Sequence, residues 1–374
     1  MAKRRLSVVE LYAGTARSAE PFYQKPNRYN ISLLIDVEPY AAKTYLTNRP
    51  EAPYVLGNLA RMSPARIKEL AGGRVDILLG CPPCQGFSEV GCRDPKDPRN
   101  FHLTRFAKFV EALKPMATAI ENVPLAADMK QFEAFTRMLT RLRYRWRAGI
   151  VNSALHGSSQ CRQRLVVVGF RGDLDIAPDV GAPTHGARGK YFSYRFSKMM
   201  KVEDDPIGML GDTPAAQRVS KFVNFHEIKP GLRTIPTVEL ALKGLPRIRT
   251  LKAEELSHIP WEHTRRVLRR MGAVKEGQRW RGGEDHFSQS YGRLHRRGLA
   301  RTITTYFANP GSGRYWHPTS NRSITLREAA RLQGFPDTFR FIKPIGRNAA
   351  KLVGNALDSR VAELIFQTID TIIG

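Results

Sequence analysis

Short apolar runs recur through the first half of the chain, and each is closed by glycine, proline or a polar residue. Their length and their content of valine, isoleucine and leucine are typical of buried strands. The strand candidates are 6–11, 31–35, 75–79, 117–120 and 165–170. Because helical segments lie between them, we predict an α/β protein with a doubly wound, mostly parallel sheet.

Two segments have the apolar spacing of helices that pack on such a sheet. In the first, Leu103, Phe106 and Val110 recur at helical spacing, and the pattern stops before Pro115. In the second, apolar residues between 352 and 369 continue at helical spacing towards the end of the chain. We expect this second segment to be a helix that closes on the sheet.

The pattern changes between about Arg171 and about Ala300. Clean alternation of strands and helices is lost there, and glycine, proline, arginine and aromatic residues are interleaved. This change predicts a second, smaller and irregular domain. We place the first part of the main domain at 1–175, the second domain at 176–325, and a hinge with the last helix, returning to the main domain, at 326–374.

The charge of the chain points to a polyanionic partner. Lysine and arginine number 60 in 374 residues against 34 aspartates and glutamates, a formal net charge of +26. Nucleic acid is the first candidate, although ribosomal and membrane-surface proteins carry similar charge. Basic and aromatic residues are interleaved at 188–201, Arg265-Arg266, Arg269-Arg270 and Arg279-Trp280-Arg281, which fits a nucleic-acid-binding face.

Membrane association and export are not expected. The chain contains no apolar run of about eighteen residues, and its N-terminus lacks the apolar segment of a signal peptide. We therefore expect a cytoplasmic protein, associated with the nucleoid if its substrate is DNA. Four cysteines in a chain of this length do not indicate a disulfide framework.

The most informative stretch is Gly80–Ser88, which places two cysteines in a proline-rich loop directly after the strand candidate at 75–79. In open α/β sheets the chemistry lies where parallel strands end. A thiol in that position can act as a nucleophile. Cys84 is therefore a candidate catalytic residue.

Cys81 and Cys84 also form a C-x-x-C pair, which leaves other interpretations open. A zinc site would need further ligands at set spacing, and Cys92 and His102 are poorly placed for this, so we predict no metal. A redox dithiol remains an alternative. A buried, inert thiol is the simplest interpretation of Cys81, Cys92 and Cys161.

Polar residues at other strand ends complete the candidate site. Gly14 lies in a turn between the first strand and a helix, where backbone can approach an anionic group of a cofactor. Asp36 ends the second strand, where doubly wound folds bind a ribose diol, and it is equally a candidate N-cap of the next helix. Glu121 follows a third strand, and Arg162 and Arg164 lie on one side of the chain if their segment is extended.

The same residues form an ordered series that resembles the DNA cytosine-5 methyltransferase family. The resemblance spans almost the whole chain except about 171–285, the position of the family's target-recognition domain. The matching segments are Glu10-Leu11-Tyr12-Ala13-Gly14, Pro83–Ser88, Glu121-Asn122-Val123, Gln160-x-Arg162-x-Arg164, Tyr291–Leu294, Arg301–Thr305, Leu326–Pro336 and Gly354–Leu357.

The resemblance implies a Rossmann-like domain that binds S-adenosylmethionine, with S-adenosylhomocysteine as the product. It also implies which residues border this methyl donor. They are Tyr12, Ala13 and Gly14 in the first motif, Asp36 at the ribose, Val37, Asn58 and Leu59 at the adenine, and Asn355 and Ala356 at the methionine end.

The resemblance further implies a covalent mechanism on a cytosine flipped out of the duplex. Cys84 adds to C6 of the ring, Glu121 holds N3 and the exocyclic amine, and Arg164 binds O2. Arg162 is the candidate for lowering the pKa of the Cys84 thiol. Contacts to DNA are implied for Gln85, Ser88, Gln160 and Thr302.

Two segments depart from the family pattern. Thr15-Ala16-Arg17-Ser18 stands where the family commonly repeats glycine, and Gly57-Asn58-Leu59 stands where it often has Gly-Asp-Ile. Asn58 can still accept a hydrogen bond through its amide oxygen, but without the charge. Both departures concern the affinity of the protein for the methyl donor, S-adenosylmethionine.

The resemblance predicts a site-specific modification enzyme for double-stranded DNA from a bacterial or phage system, acting as a monomer, with a cognate restriction endonuclease as a possible partner. Two alternatives stay open. One is a tRNA cytosine-5 methyltransferase, since a branch with the same motifs acts on tRNA. The other is a DNA-binding homologue with weak or no catalysis.

Overall fold

The structure is a computed structural model, and it contains a central sheet followed by a region of short helices and strands. The residues that it describes are 4–83, 101–174, 180, 183–186, 232–281 and 290–373. The predictions for Cys84, Gln85 and Ser88, and for the basic segment at 188–201, lie outside these residues.

Seven strands form the central sheet. They are β1 (Leu6–Leu11), β2 (Tyr29–Asp36), β3 (Tyr54–Leu56), β4 (Ile77–Gly80), β5 (Ala117–Asn122), β6 (Arg145–Asn152) and β8 (Gln163–Phe170). Their order in space is β3-β2-β1-β4-β5-β8-β6, and β8 alone runs in the opposite direction, antiparallel to both of its neighbours, β5 and β6. This arrangement confirms the predicted α/β fold, and the direction of winding reverses between β1 and β4.

Helices cover both faces of this sheet, because successive strand residues point to opposite sides. Val8 and Val9 of β1 accordingly belong to two separate core clusters. Phe106 of α3 packs in the cluster that contains Val9, as its helical spacing predicted. The helices of this half are α1 (Pro39–Asn48), α2 (Pro64–Leu70), α3 (Phe101–Leu113) and α4 (Lys130–Arg141).

The regular elements among the described residues between 185 and 332 are all short. They are β9 (His185–Gly186), β10 (Arg233–Thr234), α5 (Val238–Leu242), α6 (Leu251–Glu255), α7 (Arg265–Gly272), β11 (Ala300–Arg301) and α8 (Leu326–Leu332). β11 pairs in parallel with β7 (Gln160–Cys161) in a separate two-stranded sheet, which attaches this region to the segment just before β8. The predicted domain limits stay predictions. In the part of the chain that is described, no helix is long and apolar enough to cross a membrane.

The end of the chain forms two helices, α9 (Arg347–Asn355) and α10 (Ser359–Ile373), where the sequence predicted one. Asp358 accounts for the break, because its carboxylate accepts a hydrogen bond of 2.9 Å from the N–H of Arg360, as an N-cap residue does. α10 packs its apolar face, including Ile365, in the cluster on one side of the sheet. The expected closure of the sheet by the last helix is therefore confirmed.

Candidate active site

Neighbouring strands end at one edge of the sheet, and the predicted site residues follow them. Leu11 of β1 lies opposite Ile35 of β2 on one side and Gly80 of β4 on the other. Gly80 in turn lies opposite Ile120 of β5. The turn after β1, the tip of β2, the cysteine loop after β4 and the carboxylate at the end of β5 are therefore neighbours.

The turn after β1 has left-handed backbone at three alternate residues, Tyr12 (φ 57°), Gly14 (φ 52°) and Ala16 (φ 50°). A Cβ on Gly14 would meet no atom within 4 Å, so its φ is what favours glycine there. For Tyr12 and Ala16 the same conformation is costly, and such strain is concentrated at ligand-binding segments. The hydroxyl of Tyr54 donates to the carbonyl of Gly14 at 2.8 Å, which helps to hold this turn.

The segment Thr15–Ser18, which departs from the family pattern, is buried. Arg17 donates to the carbonyl of Gly334 at 3.0 Å, and its guanidinium carbon lies 4.6 Å from the ring centre of Phe335. Side chains thus fill the place of the expected glycines, and they join the turn to the residues that follow α8.

Glu10 holds the far end of the same turn. Its carboxyl oxygens accept hydrogen bonds from the N–H groups of Ser18 at 3.3 Å and Ala19 at 2.8 Å. Complete burial raises the pKa of Glu10 to about 8, against the effect of these N–H groups, which lower it. Glu10 therefore carries a proton over most of the range below pH 8.

Asp36 joins the tip of β2 to the glycine turn. Its carboxylate accepts hydrogen bonds from the N–H of Gly14 at 2.8 Å and the N–H of Glu38 at 2.9 Å. Burial raises the pKa of Asp36, although these N–H groups lower it. The N-cap of α1 is Glu38, whose side chain accepts from the N–H of Tyr40. The interpretation of Asp36 as the N-cap of that helix is therefore wrong.

The two residues predicted near the adenine amino group have different environments. Asn58 is exposed, and its amide oxygen accepts from the N–H of Ala60 at 3.0 Å within a turn. Leu59 is buried, and its carbonyl accepts from Arg105 at 3.0 Å. At the other end of the predicted donor site, Asn355 is exposed and Ala356 is buried.

Glu121 and Arg164 form an ion pair at the carboxyl end of β5. The Nε atom of Arg164 lies 2.7 Å from a carboxylate oxygen of Glu121, and the two side chains are 13% and 10% exposed. Glu121 lies opposite Val166 of β8, so the antiparallel pairing brings Arg164 across to it. The structure thus unites a carboxylate and a guanidinium that are far apart in the sequence.

Asn122 anchors the beginning of the cysteine loop. Its side-chain amide donates to the carbonyl of Pro82 at 3.2 Å, and its amide oxygen accepts from the N–H of Val123 at 2.8 Å. The sequence showed Asn122 only as the middle of a motif, without this role. The anchored carbonyl lies two residues before Cys84, which is outside the described residues.

Cys81 lies in acidic surroundings. Its sulfur is 3.4 Å from the hydroxyl of Ser18. Burial and the negative charge of Glu121 hold the pKa of the Cys81 thiol well above its usual range. Because only the thiolate is nucleophilic, these surroundings favour an inert thiol.

Arg162 points away from the Glu121–Arg164 pair. It is 2% exposed, and its guanidinium donates to the carbonyls of Ile303, Gly354 and Ala356 at 3.1, 3.1 and 3.2 Å. Burial and the charge of Arg164 lower the pKa of Arg162 to about 9. The predicted effect of Arg162 on the Cys84 thiol stays a prediction.

Gln160 lies inside the protein, although the family resemblance implied a contact with DNA. It is fully buried, and its amide oxygen accepts from the N–H of Ile303 at 2.6 Å while its nitrogen donates to the side chain of Gln333. This placement gives Gln160 no surface for DNA. Thr302 is half-buried and donates to the carbonyl of Cys161 at 3.2 Å.

The family model for C-5 cytosine-specific DNA methylases matches residues 6–371. The chain belongs to this family. Membership makes the protein a methyltransferase and implies that it depends on S-adenosylmethionine, which confirms the resemblance found in the motifs.

Two relatives of this methylase and one solved structure match over most of their own lengths. Type II methyltransferase M.DdeI of Desulfomicrobium norvegicum is 27% identical over 362 residues, which cover 90% of this chain and 80% of the relative. DNA (cytosine-5-)-methyltransferase M.ApeKI of Aeropyrum pernix is 25% identical over 472 residues, covering 98% and 100%. The crystal structure of the S. pombe Dnmt2 methyltransferase has a TM-score of 0.64 at 16% identity, covering 98% of this chain and 99% of that one.

The tips of β2 and β3 in the methylase fit an adenosine group. Val37 is 66% exposed and Leu56 is 54% exposed, and Leu56 is the strand partner of Asp36. Two exposed apolar side chains beside a carboxylate match the flat apolar base and the hydroxyls of a nucleoside. Sequence reasoning missed Leu56, because only strand pairing places it beside Asp36.

Proposed function

We propose that this methylase adds a methyl group to C5 of a cytosine in double-stranded DNA through a covalent bond between the sulfur of Cys84 and C6. The observation that carries the proposal is the ion pair of Glu121 and Arg164, beside the anchored start of the cysteine loop. A carboxyl group and a guanidinium together match N3, the exocyclic amine and O2 along one edge of cytosine.

Each of these residues has a defined part in the proposed reaction. The Cys84 thiolate forms a bond to C6, and the ring electrons move to C5, which then takes the methyl group. Glu121 holds a proton at N3 as the sulfur adds, and Arg164 stabilises the charge that develops at O2. Loss of the C5 proton to solvent and breaking of the C6–S bond restore the aromatic ring.

The donor is proposed to lie along the turn after β1 and the tip of β2. S-adenosylmethionine, when bound, supplies an electrophilic methyl group and leaves as S-adenosylhomocysteine. Asp36 would hold the ribose hydroxyls and Val37 would pack on the adenine. Tyr12–Gly14 and Asn355-Ala356 would border the methionine end.

A nucleic-acid substrate is supported by α7. Arg265, Arg266 and Arg269 are exposed on this helix, whereas the guanidinium of Arg270 lies 5.8 Å from the ring centre of Trp280. Exposed arginines on one short helix suit the phosphate backbone. We propose that the second domain, 176–325, recognises the target, with 1–175 and 326–374 as the two parts of the catalytic domain.

The biological setting is proposed from the relatives. Similarity to the Type II methyltransferase M.DdeI supports a bacterial or phage modification system with a cognate restriction endonuclease. We propose that the methylase acts as a monomer on nucleoid DNA in the cytoplasm.

The test begins by finding the target cytosine. Bisulfite sequencing of DNA from cells that express the chain reports methylated positions, and comparison of methyl incorporation into genomic DNA and into tRNA distinguishes the two polymers. Methylation of tRNA without methylation of DNA would favour the tRNA alternative and contradict the proposed substrate.

A duplex with 5-fluorocytosine at the target position then tests the covalent step. Fluorine does not leave as the C5 proton does, so the wild-type chain should give a DNA adduct that survives denaturation. Cys84→Ala should give none, and Cys81→Ala, which removes the other thiol of the same loop, should retain the adduct. Methylation of normal duplexes without an adduct on the fluorinated one would exclude this mechanism.

A further inference from the structure

Several chain segments meet in a buried polar cluster behind the active site. Its side chains lie on different elements, and all are nine-tenths or more buried. The polar cluster consists of Ser158, Gln160, Arg162, Gln333 and Asp358. The proposed chemistry uses none of its side chains on the cytosine ring.

Asp358 is the acidic member of the polar cluster. One oxygen of its carboxylate accepts from the hydroxyl of Ser158 at 2.7 Å and from the side-chain nitrogen of Gln160 at 3.4 Å. The other oxygen accepts from the N–H of Arg360 at the start of α10. Asp358 thereby connects β7 to the junction of α9 and α10.

The two glutamines extend this connection to backbone near the site. Gln160 accepts from the N–H of Ile303 at 2.6 Å and donates to Gln333. Gln333 in turn donates to the carbonyl of Ala356 at 2.6 Å. The cluster thus bonds directly to the backbone of Ile303, which is next to Thr302, and to the backbone of Ala356, which is next to Asn355.

Arg162 bonds to the same two backbone positions. Its guanidinium donates to the carbonyls of Ile303 and Ala356. Both backbone groups of Ile303 are therefore fixed by the cluster, and the carbonyl of Ala356 has two cluster donors. The family resemblance implies that Thr302 contacts DNA and that Asn355 contacts the methyl donor. The cluster therefore sets the distance between the DNA side and the donor side of the site.

The charges of Arg162 and Asp358 support each other. A buried guanidinium bonded to carbonyls needs a nearby negative charge, since burial disfavours an isolated cation. Asp358 raises the pKa of Arg162, and Arg162 and Arg17 lower that of Asp358, each against the larger effect of burial. Loss of the Asp358 charge would leave Arg162 less stable in its place.

We propose that Asp358 is a positioning residue, which keeps Gly354–Ala356 in the place required at the methionine end of the donor. It acts through Gln160, Gln333 and Arg162 and touches neither substrate. This inference rests on the proposed function, because it takes the assignment of Asn355-Ala356 to the donor from it.

The test compares Asp358→Asn with Asp370→Asn. The first variant keeps the shape of the side chain and removes the charge. The second makes the same change on α10 at the half-buried Asp370, which pairs with Lys25 and accepts a hydrogen bond from the hydroxyl of Tyr29. Titration calorimetry with S-adenosylmethionine measures the Kd and the fraction of molecules that bind. Thermal unfolding shows whether each variant is folded.

Asp358→Asn should raise the Kd for S-adenosylmethionine about tenfold, a change of about 1.4 kcal/mol, with an unchanged binding fraction. Asp370→Asn should leave the Kd at the wild-type value. A purely structural role would instead lower the binding fraction and leave the Kd of the remaining molecules unchanged, and that result would overturn the proposal. So would an unchanged Kd and binding fraction.

A second variant covers the case in which Asp358→Asn does not fold. Ser158→Ala is then tested, because it removes one hydrogen bond of the Asp358 carboxylate and keeps its charge. A smaller rise in the same Kd supports the proposal, and an unchanged Kd overturns it. Wild-type protein that binds the donor but forms no adduct with 5-fluorocytosine DNA contradicts the covalent function and leaves the calorimetric comparison valid.

Discussion

Arginine has opposite environments in two regions of this methylase. On α8, Arg327 is 1% exposed and donates to the carbonyls of Leu256, Pro336 and Phe339 at 2.7, 3.0 and 2.6 Å. On α7, by contrast, the side chain of Arg265 is exposed. The net charge of +26 therefore combines residues that hold the fold with residues that can face a polyanion.

The physical reason for this difference is the shape of the guanidinium. It has five N–H donors in one plane and remains charged, so it can bond several carbonyls at once where helices are short and many backbone groups lack regular partners. Arg293 lies in the same part of the chain as α7 but is buried as Arg327 is, with bonds to the carbonyls of Val274, His317, Ser320 and Met271. A charge count overestimates the surface available to DNA.

The largest effect that tests this comparison is expected from Arg327→Met. The variant removes the shared donor of three carbonyls, of which the bond to Phe339 is buried and the other two are partly buried, and it should lower the free energy of unfolding by about 3 kcal/mol. Urea denaturation measures the change. Arg266→Met on α7 is the control, and it should stay within about 0.5 kcal/mol of the wild type. Equal losses in both variants would remove the distinction between the two regions.

The second prediction concerns the exposed arginines. Replacing Arg265, Arg266 and Arg269 together with glutamine should leave stability unchanged but lower DNA affinity at least about tenfold. The slope of log affinity against log salt concentration should fall by about 2 to 3, since each lost phosphate contact contributes about 0.9. Fluorescence anisotropy at several salt concentrations measures both quantities.

The matched control carries lysine at the same three positions. It keeps the charge and should retain most of the salt dependence, because the phosphate term depends on charge more than on side-chain shape. A glutamine variant with the wild-type slope would show that α7 does not contact the phosphate backbone.

The third prediction extends the comparison to a buried acid. The pKa of Glu10 is raised from 4.5 to about 8 in the folded chain. Between these values the folded protein holds a proton that the unfolded chain has released, so stability falls as pH rises from about 4.5 to about 8. Glu10→Gln should lack this part of the fall.

Urea denaturation at a series of pH values measures this difference. Glu69→Gln, an exposed change on α2, should follow the wild-type profile. If the free energy of unfolding of Glu10→Gln changes with pH as that of the wild type does, Glu10 does not contribute to the pH dependence of stability.

The smallest effect is expected from Cys81→Ser. Because burial and acidic neighbours keep this thiol protonated, the methylation rate should stay within about twofold of the wild type. Inactivation by hydrogen peroxide should proceed at the same rate in both proteins. Resistance of the variant to peroxide would restore the redox interpretation of the C-x-x-C pair.

The sequence was most informative about the strands and their ends. Apolar runs and turn residues are local signals, so β1, β2, β4 and β5 could be predicted together with the residues at their ends, such as Asp36 and Glu121. The break between α9 and α10 was missed, because helical spacing continues across Asp358 and only its bond to Arg360 shows the N-cap.

By itself, the sequence determined the family, the α/β fold and the order of the motifs, since these depend on residues that are adjacent or regularly spaced. Only the tertiary structure decided the environment of each polar side chain. Gln160 and Arg162 belong to one motif with Arg164, yet Arg164 pairs with Glu121 while the other two are buried against Ile303. These side chains find their partners on segments that are distant in the sequence, and a local sequence pattern cannot predict such contacts.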